Sequence, residues 1–475
     1  MSAKSQGIEI DENIFAGVGQ AELLLTLMDA RRIVSNSFHR ANMKILVLGS
    51  GGREHALAWK LRQPATAEKI WCAPGNGGIS NDAECVPLDL SDVKATADLA
   101  IRLGTDLTIV GPELPLVLGV ADEFAKRGLM LLGPTQKAAQ LEGSKIFAKQ
   151  FMERHGIPTA AVYGIYDSLA DAQVALHEVR WPLVIKADGV CGGKGVLVAS
   201  SPDEAAEFLD RAMGRREFGD AGKKVLLEEG LEGQELSYIV LTDGRNFVPM
   251  APTRDHKRAF DGDEGPNTGG MGVYSTHEIL PKELETSIVE TLVKPTLAGL
   301  ERGGMPYRGF LYFGLMLTTD GPKVLEYNCR LGDPEAQAIL LRADFDLAKA
   351  CVAAASGELG GFRGNWTPGA SVCVVLASEG YPAGPITGLP ITGLEDAARV
   401  PGAVVFHAGT RREGSKYYSS GGRILNVCAR GSDTPDASRI VYDSISNIQV
   451  QGSHYRRDIG SKVTKKGRAA EVSNG

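Results

Sequence analysis

The segment between residues 44 and 61 constrains the fold of this chain more than any other. Residues 44–48 form a continuous apolar run, residues 49–52 contain three glycines, and a helical pattern follows over residues 53–61. An unbroken apolar strand is typical of a parallel sheet that is covered on both faces. A glycine turn between such a strand and a helix leaves backbone N–H groups facing an anion. The segment therefore predicts a parallel α/β sheet with a phosphate-binding turn.

The same turn disfavours a nicotinamide-dependent dehydrogenase. Glu54 replaces the third glycine of the G-x-G-x-x-G fingerprint. The next strand, residues 70–72, runs into Ala73-Pro74-Gly75, where an acid that binds ribose would be expected. A third strand, residues 107–110, ends shortly before Glu113. We therefore expect Glu113 at the carboxyl edge of the sheet, where open α/β sheets bind ligands.

A charged, glycine-rich segment covers residues 255–272. Its eighteen residues include four acids, three bases and five glycines, without the period of a helix or a strand. Glycines let backbone N–H groups approach phosphate oxygens, and Lys257 and Arg258 can neutralise them. The segment predicts a loop around a strongly charged ligand, and a solvated surface loop is the alternative interpretation.

Two apolar runs downstream, residues 310–317 and 323–329, predict strands joined by a turn at residues 319–321. Strict alternation places one set of side chains on one face and leaves the others on the opposite face. The first set is Val324, Glu326, Asn328 and Arg330, and the second is Leu325, Tyr327 and Cys329.

A carboxylate and a carboxamide thus lie side by side on an apolar strand. Burying either without a partner costs about 1–3 kcal/mol or more. Hard oxygen ligands of this kind suit Mg²⁺ or Mn²⁺ held between a carboxylate and nucleotide phosphates. Glu326 and Asn328 are therefore candidate metal ligands, with a salt bridge on an edge strand as the alternative.

A second glycine-rich loop lies between two short strands. A helix is predicted from Lys145 to about residue 155, and a strand over residues 182–187 carries Lys186. Residues 188–195 hold four glycines and Lys194, and a strand over residues 196–199 follows. A strand–loop–strand hairpin differs from the Walker motif, in which the glycine loop leads into a helix.

Composition limits the class of protein. A chain of 475 residues is long enough for about three domains. The net charge of −7 argues against nucleic acid as the main partner. Seven scattered cysteines without a C-x-x-C pair indicate reduced thiols of a cytosolic protein. The sequence contains no run of about 20 apolar residues of the kind that spans a membrane.

Ten motifs in order along the chain resemble the phosphoribosylamine-glycine ligases, also called glycinamide ribonucleotide synthetases, of the ATP-grasp superfamily. They are LVLGSGGREHALAWKL (46–61), PGNGG (74–78), TIVGPELPLVLGVAD (108–122), QLEGSKIFAKQFM (140–152), VIKADG with GGKGV (184–196), DHKR with GPNTGGMGVYS (255–275), EYNCRLGDPEAQ (326–337), HAGT (407–410), GGRIL (421–425) and YRRDIG (455–460).

The resemblance implies a mixed α/β and α+β architecture: an ATP-grasp fold with an N-terminal Rossmann-like domain and a C-terminal β-rich domain. The expected divisions are 43–144 for the Rossmann-like domain, 145–367 for the ATP-grasp domain with a mobile lid at about 165–230, and 368–467 for the β-rich domain, followed by a tail at 468–475. Residues 1–42 precede the family pattern. We expect an upstream start codon or a dispensable extension, and a targeting segment is the alternative.

The resemblance also implies a reaction and its participants. ATP would activate glycine as glycyl phosphate, and 5-phosphoribosylamine would then displace phosphate to give glycinamide ribonucleotide in purine biosynthesis. ATP and Mg²⁺ or Mn²⁺ are the expected cofactors, and the enzyme would be cytoplasmic. Neither nucleic acid nor membrane is an expected partner, whereas transient contact with neighbouring purine-pathway enzymes is.

By resemblance, the site residues fall into four groups. Arg330, Asp333, Glu335, Lys257 and Arg258 would act at the reacting centre. The nucleotide would be bound by Lys145, Lys186, Gly192, Gly193, Lys194, Gly195, Glu228, Glu229, Leu231 and Glu235. The other substrates would be bound by Gly51, Gly52, Arg53, Glu54, Asn76, Gly77, Glu113, Asp255, Asn267, Gly270 and Arg423. The metal would be held by Glu326 and Asn328.

Two alternatives remain open on sequence. Another ATP-grasp enzyme that activates a carboxylate, such as a formate-using transferase or a biotin-type carboxylase, would share the metal ligands but not the 255–272 motif. A nucleotide-binding protein without catalytic activity is the alternative from a different class. The intact Lys186, Glu326 and Asn328 argue against it.

Overall fold

The computed structural model describes residues 42–64, 66–192 and 194–461. The predicted extension before residue 42, Gly193, the end of the predicted C-terminal domain (462–467) and the predicted tail (468–475) lie outside the described residues. Within the described ranges, no helix combines the length and apolarity that crossing a membrane requires.

The first region is a parallel α/β unit. Its elements are β1 (Met43–Gly49), α1 (Gly52–Leu61), β2 (Ala67–Pro74), β3 (Glu84–Cys85), α2 (Val93–Leu103), β4 (Leu107–Val110), α3 (Glu113–Val117), α4 (Val120–Lys126), β5 (Leu131–Leu132) and α5 (Gln140–Gly143). The strands form a parallel sheet in the order β3-β2-β1-β4-β5. The predicted first strand, helix and following two strands are confirmed, and the central position of β1 explains its apolar run.

The second region contains the predicted glycine-loop hairpin. Its elements are α6 (Lys145–Arg154), β6 (Val162–Tyr166), α7 (Leu169–Ala175), β7 (Leu183–Ala187), β8 (Val196–Ala199), α8 (Pro202–Leu209) and β9 (Val225–Glu229). The antiparallel order β6-β9-β7-β8 defines what we call the lid sheet. The lid sheet packs its own apolar cluster, including Ile185, Phe208 and Leu227. A separate core is consistent with a unit that can move, and the motion stays a prediction.

The third region is built on a second antiparallel sheet. Its elements are β10 (Gln234–Thr242), β11 (Phe247–Pro249), β12 (Arg254–Asp255), β13 (Arg258–Phe260), β14 (Glu264–Asn267), β15 (Gly272–Thr276), α9 (Lys282–Ile288), α10 (Lys294–Arg302), β16 (Gly309–Thr318), β17 (Gly321–Asn328), α11 (Glu335–Arg342) and α12 (Leu347–Ser356). The order β11-β10-β16-β17 defines the central sheet.

A bulge in β17 corrects the predicted alternation. Gly314 pairs with Glu326 and Leu315 pairs with Val324, so Leu325 is the extra residue of the strand. Val324 is therefore buried in the core with Tyr327, whereas Leu325 faces the same cavity as Glu326. The predicted faces are therefore correct from Glu326 onward. They are wrong for Val324 and Leu325, which exchange faces because of the bulge.

The charged segment at 255–272 is more regular than predicted. β13 and β14 pair as a small antiparallel hairpin, joined by a 3₁₀ turn at Asp261–Asp263. Four of its five glycines lie outside the two strands, and the strands are only three and four residues long, which is why no period of 2 is visible in the sequence. We call β13, β14 and their turn the charged hairpin.

The last region is β-rich, as predicted. Its elements are β18 (Ala370–Ala377), β19 (Pro390–Ile391), α13 (Leu394–Arg399), β20 (Ala403–His407), β21 (Thr410–Glu413), β22 (Lys416–Ser419), β23 (Arg423–Gly431) and α14 (Thr434–Ile445). The main sheet has the order β12-β15-β18-β23-β20. It therefore extends across the boundary predicted at residue 368, because β15 pairs with β18.

Candidate active site

A cavity of about 1030 Å³, the main cavity, lies between the lid sheet and the central sheet. Val198 and Leu226 line it from the lid sheet, and Met316 and Leu325 line it from the central sheet. It brings together most of the predicted site residues. These are Arg53, Glu113, Lys145, Lys186, Gly192, Gly195, Glu228, Glu229, Leu231, Glu235, Asp255, Lys257, Arg258, Asn267, Glu326, Asn328, Arg330, Asp333, Glu335 and Arg423.

A second cavity of about 340 Å³ adjoins the first. Gly51 and Asn76 line it from the parallel α/β unit, and Gly409 lines it from the β-rich region. Asp333 and Arg423 line both cavities. The remaining described candidates line neither cavity. They are Gly52, Glu54, Gly77, Lys194 and Gly270.

The carboxylate of Glu54 is turned back into the turn before its own helix. It accepts hydrogen bonds from the backbone N–H of Gly51 at 2.5 Å and from Nε of Arg53 at 2.6 Å. Gly49 leaves room for it, since a Cβ there would come within 2.6 Å of the Glu54 side chain. At the third-glycine position of the fingerprint, the buried carboxylate of Glu54 thus stabilises the turn through its hydrogen bond to Gly51.

Two lysines and one carboxylate form a buried cluster at the lid side of the main cavity. Glu228 is held by Lys186 and by Lys149, the latter at 2.6 Å. Nζ of Lys186 also donates to the carbonyl of Leu325 at 2.9 Å. Burial lowers the pKa of Lys149 although Glu228 opposes the shift. The cluster therefore connects the lid sheet to β17 and places positive charge at the cavity wall.

The glycine loop between β7 and β8 is fixed at its start. Oδ1 of Asp188 accepts hydrogen bonds from the Ser144 hydroxyl at 2.7 Å and from the Ile146 backbone at 3.1 Å. Nζ of Lys145 donates to the carbonyl of Gly189 at 2.7 Å. These contacts hold the loop against the N-terminus of α6, whose N–H groups favour an anion.

Glu326 and Asn328 fit the predicted metal site. Burial raises the pKa of Glu326, but the charges of Lys257, Lys186 and Lys145 outweigh it and leave the pKa below its usual value. Glu326 is therefore an ionised oxygen ligand at neutral pH. Among the described residues there is no cluster of three or more His, Cys, Asp or Glu ligands. One carboxylate and one amide oxygen suit a cation such as Mg²⁺, which keeps waters and binds phosphates.

Arg330 is surrounded by carboxylates. Its guanidinium contacts Glu113 at 3.2 Å and Glu142 at 2.8 Å. Burial works against the charge of Arg330, but both carboxylates raise its pKa. Burial also raises the pKa of Glu142 to about 7, and Arg330 opposes that shift. The position of Glu113 at the carboxyl edge of the parallel sheet is confirmed.

A second polar group lies beside the charged hairpin. Oε1 of Glu335 accepts hydrogen bonds from the hydroxyls of Ser237 at 3.0 Å and Tyr312 at 3.1 Å. Burial and the charge of Glu335 raise the pKa of Asp255 well above its usual value. Although burial works against its charge, Glu235 and Glu326 hold the pKa of Lys257 well above its usual value.

Arg423 joins the β-rich region to both cavities. Its Nη1 donates to the carbonyls of Gly269 and Asp333, each at 2.6 Å. The Asp333 carboxylate also accepts from Gln337 at 2.9 Å. The guanidinium therefore holds two loops in place as well as lining the cavities.

Sequence reasoning missed several polar residues of the main cavity. Glu142 and Lys149 lie on the helices α5 and α6, where a charged residue is most often solvated. Both line the main cavity instead, as does Tyr312. A signal was present at Lys149, which is four residues after Lys145 and therefore on the same helix face. Glu142 carries no comparable signal, since its partners lie about 190 residues away in the sequence.

Three domain families match the chain in order. They are the phosphoribosylglycinamide synthetase N domain over residues 43–142, its ATP-grasp (A) domain over 143–336 and its C domain over 371–462. The chain belongs to the phosphoribosylglycinamide synthetase family. The predicted ATP-grasp fold is confirmed with it.

Members and neighbours of this family support the assignment. A phosphoribosylamine–glycine ligase from Allochromatium vinosum is 47% identical over 430 residues, covering 90% of this chain and 100% of the relative. The crystal structure of phosphoribosylamine–glycine ligase from Thermotoga maritima has a TM-score of 0.75 and 34% identity, covering 88% of this chain and 100% of that one.

A more distant structure shares the fold alone. The biotin carboxylase domain of the Hydrogenobacter thermophilus 2-oxoglutarate carboxylase, in complex with MgADP, ADP and bicarbonate, has a TM-score of 0.64 at 18% identity. It covers 88% of this chain and 92% of that domain. A carboxylase therefore shares the architecture, and the family match separates this chain from it.

Proposed function

We propose that this chain ligates glycine to 5-phosphoribosylamine at the expense of ATP, giving glycinamide ribonucleotide, ADP and phosphate in purine biosynthesis. One structural observation carries the proposal beyond the family match. A lysine-lined cavity adjoins a glycine-lined one, and Asp333 and Arg423 line both. Such a pair of cavities suits a reaction that joins a nucleotide-activated acid to a second phosphorylated substrate.

The chemistry explains why a nucleotide site is needed. A carboxylate is a poor acyl donor, so the γ-phosphoryl group of ATP is first transferred to a carboxylate oxygen of glycine and ADP is released. The amine nitrogen of phosphoribosylamine then attacks the carbonyl carbon. A C–N bond forms, the C–O bond to phosphate breaks and the amine loses a proton. Catalysis of such steps relies mainly on positioning and charge neutralisation.

We assign ATP binding to the part of the main cavity that the lid sheet and its glycine loop line. Lys145 and Lys186 would contact the phosphates, because both are cavity-lining ammonium groups at the base of the glycine loop. Lys194 and the loop glycines Gly192, Gly193 and Gly195 would cover the phosphates. Residues at the end of β9 and the start of β10 would contact the adenosine. They are Glu228, Glu229, Leu231 and Glu235.

Glu326 and Asn328 would hold Mg²⁺ or Mn²⁺. When bound, the cation would neutralise phosphate charge during phosphoryl transfer. The low pKa of Glu326 supports this role because the carboxylate is available as a ligand at neutral pH. Lys257 lies 3.8 Å from Glu326 and would add positive charge there, together with Arg258 at the start of the charged hairpin.

The remaining residues are assigned to the two other substrates. Arg330, Asp333 and Glu335 would seat glycine and the acyl phosphate, since they follow the metal ligands directly at the end of β17. Arg53, Glu113 and Arg423 would bind phosphoribosylamine together with the backbone around Gly51 and Asn76. The other candidates for this group are Gly52, Glu54, Gly77, Asp255, Asn267 and Gly270.

The setting follows from the reaction. We place the enzyme in the cytoplasm, with small molecules as its substrates and without nucleic acid or membrane as partners. Transient contact with neighbouring purine-pathway enzymes belongs to the same proposal. The net charge of −7 supports the absence of a nucleic acid partner.

A coupled assay tests the proposal. Purified protein is incubated with ATP, glycine, Mg²⁺ and chemically generated 5-phosphoribosylamine, and ADP release is followed. We expect ADP release that depends on both glycine and phosphoribosylamine, with one glycinamide ribonucleotide formed per ADP. ADP release supported by bicarbonate or formate instead of glycine would identify another carboxylate-activating enzyme. The absence of turnover with intact ATP binding would identify a nucleotide-binding protein.

A further inference from the structure

The carboxylate of Glu142 contacts three consecutive residues, 328–330, at the end of β17. Oε2 of Glu142 accepts the backbone N–H of Cys329 at 2.7 Å, and Oε1 accepts from the guanidinium of Arg330 at 2.8 Å. The hydrogen-bonding needs of the Asn328 carboxamide are met when its nitrogen donates to the same Oε1 at 3.0 Å. Glu142 belongs to α5 of the parallel α/β unit, so these contacts join that unit to the strand that carries the metal-ligand candidates.

Every donor at Glu142 is a nitrogen, so both carboxylate oxygens act as acceptors. The Asn328 nitrogen donates to Glu142 and also lies 3.3 Å from the carbonyl of Tyr327. Two acceptors thus fix the nitrogen end of the amide. The oxygen is the polar atom left to face the main cavity, which Asn328 lines.

We propose that Glu142 is a positioning residue that turns the oxygen of Asn328 toward the cation site. The inference rests on the proposed function, in which Asn328 is a metal ligand. Partners behind a metal ligand fix its orientation, and their loss commonly weakens metal binding about 10–100-fold. Glu142 acts here through hydrogen bonds to Asn328 and does not itself contact the cation.

The chemistry at position 142 makes the proposal specific. Glutamine has nearly the same shape as glutamate but can donate as well as accept. In the Glu142→Gln variant, the new amide nitrogen competes as a donor, and the Asn328 amide is free to turn its oxygen away from the cavity. The amide at position 328 then presents a nitrogen to the cation, which cannot bind it.

The test measures metal affinity directly. Electron paramagnetic resonance of free Mn²⁺ gives the dissociation constant of Mn²⁺ from the protein–ADP complex, measured in the same buffer for every variant. We expect Glu142→Gln to weaken Mn²⁺ binding by about tenfold or more. Glu123→Gln is the control, because Glu123 lies in the same parallel α/β unit and pairs there with Arg127. Its Mn²⁺ affinity should stay within about twofold of wild type.

A second pair of variants distinguishes positioning by Glu142 from the intrinsic strength of the ligand at position 328. A carboxylate is ordinarily a better Mn²⁺ ligand than an amide, so Asn328→Asp alone would be expected to bind more tightly. Next to Glu142 the new carboxylate meets a like charge about 3 Å away, and we expect weaker binding instead. In the double variant Glu142→Gln with Asn328→Asp, the amide donates to one new oxygen and leaves the other for the cation. Affinity should return to within about threefold of wild type.

The outcomes distinguish the metal-binding role of Asn328 from the positioning role of Glu142. Unchanged Mn²⁺ affinity in Asn328→Ala would remove Asn328 from the metal site and with it that part of the proposed function. Weaker binding in Asn328→Ala with unchanged affinity in Glu142→Gln would overturn the positioning role alone. Additive losses in the double variant would also overturn it. If Glu142→Gln fails to fold, tighter Mn²⁺ binding by Asn328→Asp still refutes the inference.

Discussion

The guanidinium of Arg456 donates to Oδ1 of Asp263 at 2.9 Å, which ties the YRRDIG motif to the charged hairpin. Its other hydrogen bonds reach the carbonyl of Arg258 at 3.1 Å and both oxygens of Asp458 at 2.7 and 2.6 Å. Asp458 in turn accepts the N–H of Gly262 at 3.0 Å. Arg456 is fully buried, so the motif positions the charged hairpin, which begins at Arg258 and directly follows Lys257.

Arg456→Lys should loosen the charged hairpin. A lysine presents a point charge and cannot match several acceptors held in a plane. Losing a charge-assisted hydrogen bond costs about 1.5–3 kcal/mol, which corresponds to roughly tenfold or more in local opening. Hydrogen exchange of residues 257–268 by mass spectrometry should accelerate by that factor. Arg457→Lys, at the exposed neighbouring position, is the control, and equal exchange in the two variants would contradict the role of Arg456.

Glu326→Gln should reduce kcat by about a hundredfold or more while leaving the melting temperature nearly unchanged. The change removes one charge and one oxygen ligand from the proposed cation site, and the side chain is partly exposed to the cavity. Steady-state kinetics at saturating Mg²⁺ provides the measurement. Asp320→Asn, in the exposed turn before β17, should behave like wild type. Wild-type turnover in Glu326→Gln would remove the metal role.

Much of the fold is predictable because its strands have strong local patterns. The β1 run from Ile45 to Leu48 lies fully buried in the middle of a parallel sheet, as an unbroken apolar strand should. The bulge at Leu325 is different. Val324 and Leu325 are both apolar, so the sequence carries no mark of which one is the extra residue. The pairing of β16 with β17 decides it, and that information is non-local.

In the candidate site, too, some residues are predictable from local sequence and others depend on contacts that form only on folding. Glu326 and Asn328 stand out because polar side chains interrupt an apolar strand. Glu142 escapes notice because its role depends on residues 328–330, which are distant in sequence and adjacent only after folding. The pairing of β15 with β18 of the C-terminal sheet could not be predicted either, because the two strands are distant in sequence.

Arg423→Ala should raise KM for phosphoribosylamine by about tenfold or more, since a charged hydrogen bond contributes roughly 1.5–3 kcal/mol. KM for ATP should barely change, because Arg423 binds Gly269 and Asp333 and also lines the second cavity, which neither Lys145 nor Lys186 lines. Initial rates at varied concentrations of each substrate distinguish these effects. A defect confined to KM for ATP would mean that the β-rich region contacts a different ligand.

Glu228→Ala should destabilise the protein by about 3 kcal/mol or more. The change leaves two buried ammonium groups, Lys149 and Lys186, without their shared carboxylate. Urea unfolding followed by tryptophan fluorescence reports the free energy of unfolding. Glu207→Ala is the control, because Glu207 and its partner Arg215 are exposed and such pairs contribute less than about 1 kcal/mol. Equal losses in the two variants would argue against a buried cluster.

The stability of the protein should fall on acidification partly through His407. Burial and the neighbouring His55 lower the pKa of His407 to about 3, whereas an unfolded histidine has a pKa of about 6.5. Between these values the unfolded chain binds a proton that the folded chain excludes, so each pH unit downward costs about 1.4 kcal/mol. In His407→Asn, the slope of unfolding free energy against pH between about 6 and 4.5 should decrease by one proton, whatever the stability at neutral pH. Urea midpoints across that range measure this slope. An unchanged slope in His407→Asn would show that the imidazole titrates normally in the folded protein.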